Sequence, residues 1–560
     1  MRRSRLLVPV LLVAGCLVTL GAAGRPAGAP TDVISVGGLE RRLRFIASDA
    51  LEGRESLSPG FRAAAEYLAS ELSGLGLTPR GDDGSFLQNV TMRRSSIDPA
   101  TTTVEVAGQT FKFGDDLLAR GGGSAGGRVV YVGHGYRIPS KNVDPFAGME
   151  VKDAVLLVLS GTPPGVSSRE LRTLKKGVDW WGPEDNVRAL GARGVIRVPG
   201  SEDLANWQRT RERQTSRGTL VVDRLTPDEA PVPVVTAGPR LLAVLLRGER
   251  EDAERLRQRA QAGEPGDSFA LTASKRVTLA VGARVAREDT FNVVASVEGT
   301  DPVLRSEFIA LGAHLDHIGL RADRTNSGGA SGDKPAKGQS VGQDVINNGA
   351  DDDGSGVVAL VEMAAAAMRG PALKRSLLFV WHTGEESGGW GARYLTAFPP
   401  VPIDRIVAQL NLDMIGRSRR PGDDSAGNRD LTGPDEVYLV GASRLSRALA
   451  GTVASVNHAY LNLTLNPKYD DPADPERIYE RSDHYEYARK GIPVAFFFSG
   501  LHEDYHRPSD EIDRIDFVKL QKIARTVLAV AWELGNAPAR PVLDSPQTSE
   551  PQLPDTENDR

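Results

Sequence analysis

Apolar residues first recur at helical spacing in FRAAAEYLASELSGLGLTP, where Ala64, Leu68, Leu72 and Leu75 share one face and Gly74, Gly76 and Pro79 end the run. A single apolar face predicts a helix docked on a core. Between about 116 and 285 the pattern changes to short β-rich runs: Arg128–Val132, Ala154–Leu159, Gly194–Val198 and Val232–Thr236, with charged helical stretches such as 239–262 among them. From about 289 the two periods alternate. Strand-like runs at Phe291–Val297, Phe308–Ala313, Ser376–Trp381, Arg405–Leu412, Glu436–Val440 and Ile492–Phe498 are interleaved with helical stretches. One of these covers 354–369, and the last carries Leu520, Ile523, Val527, Val530 and Leu534 up to Gly535. Alternating β and α predicts an α/β fold, a doubly wound, mostly parallel sheet with helices on both faces. The expected organisation is an α/β unit built from 31–115 and 286–536, with 116–285 inserted as a β-rich mixed domain. Trp180 and Trp181 are expected as a buried pair.

The ends read differently. Behind Arg2, Arg3 and Arg5 lies the apolar run Leu6–Leu20, shorter than the roughly 20 residues a membrane span needs. Residues 1–23 therefore have the shape of a secretory signal, and no second apolar stretch of spanning length follows. Val13-Ala14-Gly15-Cys16 resembles a bacterial lipobox, whose cysteine would carry lipid; the alternative is a cysteine inside a cleaved apolar core. The protein is expected to be exported, to the periplasm or the medium or to a lipid anchor at Cys16, its only expected membrane contact. The proline-rich stretch 537–560 reads as a disordered tail.

Composition narrows the chemistry. With 68 Lys and Arg against 73 Asp and Glu, the net charge is −5, so no positive excess exists to grip a phosphate backbone, and nucleic acid is excluded as a partner. Cys16 is the single cysteine, which rules out an internal disulfide and a thiolate zinc site. A metal site must then use His, Asp and Glu. Seven of the eight histidines lie between 314 and 506. The run Phe308–Ala313 leads into His314-Leu315-Asp316-His317, Ser376–Trp381 into His382-Thr383-Gly384-Glu385-Glu386, and Arg405–Leu412 into Asp413. Open α/β sheets bind ligands at the carboxyl ends of their strands, and three strands here end in potential ligands. In NNGADDDGSG (347–356), a helix N-terminus accounts for one aspartate. A carboxylate shared by two cations is a better use for another. In HEDYHRPSDEID (502–513), His502 is expected to be solvated.

GAHLDHIG, NGADDDGSG, TGEESGGWGARYL, LNLDMIGR, RSDHYEYARKGIP and DYHRPSDEID, in this order, resemble the secreted co-catalytic two-zinc aminopeptidase family. The resemblance covers about 289–536 and the lead-in 40–92. Through DPFAGMEVKDAVLLVLSG, NVRALGARGVI and VPVVTAG, the region 116–285 resembles, more loosely, the protease-associated domain inserted in such enzymes. The family likeness implies two zinc ions per chain. It implies His314 as a ligand with Asp316 behind it, and Asp352 as the bridging carboxylate. Glu386 and His506 complete one zinc site, and Asp413 with His314 forms the other. Glu385 would be the general base, and Tyr479 would match a tyrosine that hydrogen-bonds the oxyanion.

The implied activity is that of a metallo-exopeptidase, an aminopeptidase acting on peptides. Carboxypeptidase or dipeptidase specificity, a single-zinc glutaminyl cyclase and a non-catalytic receptor-like domain are the alternatives, the complete ligand set speaking against the last two. Residue chemistry agrees, since oxygen and imidazole donors suit zinc and also cobalt or manganese. A base that ligated metal would lose its basicity, so adjacent glutamates with separate roles make sense. Asp316, Asp351, Asp353, Glu385 and Asp413 are expected to form an acidic rim favouring an α-ammonium, with Arg481 as the one cation able to take a carboxylate instead. The Gly-, Ser- and Lys-rich loop 320–344 is expected to shape substrate entry.

Overall fold

The computed structural model describes residues 28–171, 174–227, 230–321 and 344–544. The expected export segment with Cys16, nearly all of the 320–344 loop, and 545–560 of the expected tail lie outside the described residues. Among the described residues no helix is long and apolar enough to cross a membrane.

Ten strands form the main sheet: β1 (Thr78–Pro79), β2 (Leu87–Ile97), β3 (Thr219–Val222), β4 (Ala283–Val297), β5 (Phe308–His314), β6 (Ser376–His382), β7 (Ile406–Leu412), β8 (Glu436–Val440), β9 (Thr464–Asn466) and β10 (Val494–Phe498). Their order is β9-β8-β10-β7-β5-β6-β4-β2-β3, with β1 beside β4. Besides the short turn Ala442–Leu445, the α-helices of this unit are α1 (Val36–Ile46), α2 (Pro59–Leu75), α3 (Gly354–Arg369), α4 (Trp390–Ala397), α5 (Arg447–Ala459), α6 (His484–Ala488) and α7 (Phe517–Asn536). Strands β10, β7, β5 and β6 are parallel, as crossover through α3 and α4 requires. The flanking pairs β8–β10, β4–β6, β2–β4 and β2–β3 are antiparallel. The α/β sheet with helices on both faces is thus parallel at its centre and bounded by antiparallel pairs, with the edge pair β8–β9 parallel again.

Alternation along each strand decides which layer a side chain enters. Ile309, Leu311 and Ala313 of β5 and Leu377, Phe379 and Trp381 of β6 pack with α1, α2, α3, α5 and α7. Phe308, Ala310, Leu378 and Val380 face the other layer, against Leu395 of α4 and Tyr487 of α6. With both faces covered, these strands read as continuous apolar runs. Local signals fix the helix ends. Ser58 accepts from the Phe61 N–H, Pro59 occupies the first turn of α2, and left-handed Gly76 ends it.

A second, nine-stranded sheet has the order Gln109–Lys112, Thr103–Val106, Arg276–Val281, Gly123–Tyr131, Val155–Leu159, Gly194–Val198, Val234–Ala237, Leu117–Arg120, with Phe269–Ala270 beside Gly123–Tyr131. Its two edge strands are consecutive in the chain across 113–116, so the sheet curls back on itself around its own core, which includes Tyr131, Leu157, Ile196 and Leu279. The boundaries differ from those expected at 116 and 285. The hairpin 103–112 already belongs to this second sheet, whereas Thr219–Val222 leaves it to pair with β2. The helical stretch 239–262 is two helices, Pro239–Leu245 and Ala253–Ala262, the second capped by Asp252. Trp180 and Trp181 are half-buried rather than buried: Trp180 stacks on Tyr136, and Trp181 packs under the Arg137 guanidinium, 4.6 Å from its ring.

Ile97 and Ala283 are paired neighbours on β2 and β4, so apart from the edge strand β3 the chain leaves and re-enters the main sheet at one point. Replacing 98–282 by an Asn-Gly turn should close an ordinary two-residue hairpin there. The shortened protein should unfold cooperatively in a thermal melt and bind as much zinc as the full chain. A folded product that takes up no zinc would mean that the second sheet helps to build the site.

Candidate metal centre

The central strands β7, β5 and β6 are adjacent and parallel, and their carboxyl ends deliver Asp413, His314 and the Glu385-Glu386 turn to one edge. Asp352 arrives from the turn before α3, and His506 from the loop after β10. Two donor sets result. His314 Nε2 lies 3.2 Å from Asp352 Oδ1 and 3.5 Å from Asp413 Oδ1. His506 Nε2 lies 3.3 Å from Asp352 Oδ2 and 3.0 Å from Glu386 Oε2. Asp352 therefore offers one oxygen to each set. These separations match donors about 2.0–2.2 Å from a common tetrahedral ion. His317 also belongs to the cluster, with Nδ1 2.7 Å from Glu386 Oε1.

Neighbouring groups fix each donor. His314 Nδ1 sits 2.9 Å from the Asp316 carbonyl oxygen, which leaves Nε2 free to face the cluster. The Asp316 carboxylate is 4.0 Å from that ring and instead accepts the Glu385 N–H at 3.1 Å. Ser482 Oγ donates to Asp413 Oδ2 at 2.7 Å and accepts from Asn411. The three aspartates of the triplet divide the work. Asp351 accepts the Gly416 N–H, Asp353 accepts the N–H groups of His314, Gly356 and Met414, and Asp352 alone turns to the two donor sets.

The electrostatics reflect burial of many carboxylates together. Burial pushes Glu385 well above the usual carboxylate range, helped by Glu386, Asp413 and Asp483. It raises Asp413, and it takes Asp316 up to about 7. Burial acts the same way on Asp352 and Glu386, but His317, His314 and His506 outweigh it for Asp352, and His506 and His317 do so for Glu386, so both fall below the range. For His506, burial alone would lower the imidazole; Glu386 and Asp352 carry it up to about 10. Asp352 Oδ2 and Glu386 Oε1 are buried without a well-aligned hydrogen-bond donor. Buried carboxylate and imidazole donors that converge without satisfying one another suit divalent cations. The residues present offer groups that fit zinc, with Asp352 shared between them.

Three expectations change. Tyr479 is buried in the sheet core, under the Arg444 guanidinium at 4.4 Å and against Gly441, where a side chain would leave it no room. The tyrosine at the cluster is Tyr505, stacked on His506 with ring centroids 3.8 Å apart and its hydroxyl 3.4 Å from Arg481 Nη2. His502 is buried rather than solvated, its Nε2 3.3 Å from Asp351 Oδ2 and its Nδ1 3.4 Å from Arg417. The acidic rim also shrinks, because Asp316, Asp351 and Asp353 point inward to backbone N–H groups. Sequence reasoning missed the roles of Arg54, His317, Tyr505 and Asp510. The HxxH spacing in HLDH and the adjacency of Tyr505 to His506 were signals for two of them.

Arg54 ties the site together. Its guanidinium is fully buried and donates to the carbonyls of Leu315, Ile46, Asn348 and Gly349, bridging the loop after β5 and the loop before α3. Burial pulls it down to about 10 against Asp352, Asp353, Asp316 and Asp510. Arg54→Met should destabilise the protein by about 3–5 kcal/mol in urea unfolding, the usual cost of stripping a partner from buried charge. Arg54→Lys should recover little, since one ammonium cannot reach four carbonyls. A midpoint unchanged in Arg54→Met would contradict this role.

The model of peptidase family M28 matches residues 292–531. A probable leucine aminopeptidase of Arthroderma benhamiae is 25% identical over 43% of this chain and 58% of its own length. Leucine aminopeptidase 1 of Penicillium rubens is 27% identical over 34% of this chain and 48% of its own. The chain thus spans about half the length of the curated relatives it matches. Among solved structures, the aminopeptidase from Aneurinibacillus sp. strain AM-1 aligns over 92% of this chain and 98% of that one, with 18% identity and a TM-score of 0.46. The match to the model of peptidase family M28 falls on residues 292–531, the segment that carries every candidate zinc donor.

Proposed function

We propose that this protein is an exported zinc-dependent exopeptidase that removes N-terminal residues from peptides. The observation that carries the reading is Asp352, which offers one oxygen to His314 and the other to His506, while Glu385 stands beside ligand Glu386. His314, Asp352 and Asp413 would hold one zinc, and Asp352, Glu386 and His506 the other. Bound there, the pair would lower the pKa of the attacking water and polarise the scissile carbonyl.

The chain's own groups supply the rest. Glu385, its backbone held by Asp316 and its carboxyl raised by burial, takes the proton of the attacking water and delivers it to the leaving amine. Tyr505, rather than Tyr479, is the phenol positioned to donate to the developing oxyanion. With Asp413 committed to zinc, Glu385 is the rim carboxylate left to attract a substrate ammonium. The inserted sheet would be a protease-associated domain, and residues 1–23 would direct export.

A second specificity is favoured by Arg481. Its guanidinium lies beside the Tyr505 hydroxyl and feels the Glu385 charge, a place from which it could take the carboxylate of a short peptide.

Glu385→Gln should lower kcat by about 10²–10⁴-fold, the range for losing a general base, while the protein keeps about two zinc ions by metal analysis. Glu386→Ala should lose one zinc as well as activity. Equal zinc loss in the two variants would mean that base and ligand are not divided between these neighbours.

An α-amino group titrates near 7.7–8.0 and is largely a cation at neutral pH. Unblocked aminoacyl amides should therefore be cleaved and their N-acetylated forms should not. Cleavage of acetylated dipeptides, lost on amidating their C-terminus, would move the reading to Arg481 and a carboxypeptidase.

A further inference from the structure

His317 is a buried histidine that forms, with Asp352 and Glu386, a group whose donor atoms lie within 4.8 Å of one another, yet the ligand set proposed above leaves it without a task. It stands three residues beyond His314, past the end of β5, and its backbone N–H donates to the Arg54 carbonyl at 3.1 Å. Its ring packs against Gly349, where a Cβ would come within 2.2 Å of the Asp352 carbonyl oxygen and 2.6 Å of ring Cδ2, so only glycine leaves room for both. Nδ1 is 2.7 Å from Glu386 Oε1 and 3.8 Å from Asp352 Oδ2. The first is a charge-assisted hydrogen-bond distance, although the N–H points off the line. Neither His317 Nδ1 nor Glu386 Oε1 has another aligned partner. A buried donor and a buried acceptor left unmatched each cost stability, and here the two are each other's nearest remedy. Meanwhile Glu386 Oε2 faces His506 at 3.0 Å. One oxygen of this carboxylate is turned to the donor set and the other to His317.

We propose that His317 is a positioning residue for Glu386: its Nδ1–H holds Oε1, fixes the carboxylate's rotation, and thereby sets how tightly the Asp352–Glu386–His506 set binds its cation. This inference rests on the two-zinc reading of the site. It assigns the two cations different support, since the Asp413 side is steadied by the Ser482 hydroxyl and the Glu386 side by an imidazole.

The test is zinc affinity of the full chain by chelator competition, with thermal melts to confirm folding. His317→Leu should leave one zinc bound as tightly as before and weaken the other by about 10–100-fold, the usual effect of removing an outer partner of a ligand. His317→Asn keeps an N–H donor near the Nδ1 position and should recover most of that loss. His317→Gln, whose donor sits near the Nε2 position, should not. Unchanged affinities in His317→Leu would overturn the proposal, as would an asparagine variant as weak as the leucine one. X-ray absorption at zinc should count one imidazole per metal on average; a higher count that falls in His317→Leu would make His317 a ligand and also overturn it. Peptide cleavage is not the readout, so absence of peptidase activity alongside the predicted affinity pattern would sink the aminopeptidase reading alone.

Discussion

The dominating constraint on this molecule is negative charge buried at the ends of three adjacent strands. Asp316, Asp351, Asp352, Asp353, Asp413, Asp483 and Asp510 are all buried, with Glu386 close by. An isolated ionised carboxylate does not survive in such a place without a partner. Much of the surrounding structure supplies partners. Arg54 reaches in from the segment before α2, Arg417 pairs with Asp504 at 2.8 Å, and Asp510 accepts the N–H groups of Asp351 and Asp352. Lys519, on the last helix, donates to the Arg417 carbonyl and to Thr432 behind this network. Loops far apart in sequence are thus held in one arrangement by a shared need for neutralisation. The inner face formed by Asp352, Glu386 and Asp413 is met by imidazoles rather than by Lys or Arg, and that is where divalent charge belongs.

Much of this was legible because the signals are local. A buried parallel strand is a continuous apolar run, and the first polar residue after it marks the strand end, so His314, Glu385-Glu386 and Asp413 could be placed on one sheet edge without coordinates. The errors share a different cause. Tyr479 and Tyr505 both sit in motif segments, and what separates them is Gly441, some forty residues away, whose missing side chain admits the Tyr479 ring to the core. His502 looks solvated in a loop sequence, and its burial is decided by Asp351 and Arg417 from two other loops. The early start of the second sheet was missed because 103–112 is a short hairpin turning at Ala107-Gly108, and its partner, Arg276–Val281, comes some 170 residues later.

The junction between the two sheets shows how an insert with no donor of its own can still bear on the site. Beyond the sheet proper, β2 and β4 continue as a ribbon with Arg94 on Glu288, Arg93 and Arg287 on Asp223, and Arg284 on Asp98. Pairs this exposed contribute little stability each, so they set register more than they hold the junction. The stronger tie is apolar. Val222 of β3 packs with Val90 and Met92 of β2 and with Tyr394 of α4, and Trp390 and Phe398 lie against the same group. Arg224 donates to the Tyr394 hydroxyl at 2.9 Å and covers the Phe398 ring at 3.8 Å. α4 begins four residues after Glu386, and a Cβ on Gly384 would come within 2.6 Å of the Trp390 ring. The contact path from the insert to the Glu385-Glu386 turn therefore runs through one tryptophan and one glycine. The segment 219–225 thus packs against the layer behind that turn, as close-packed interiors require, while every candidate donor lies outside the insert.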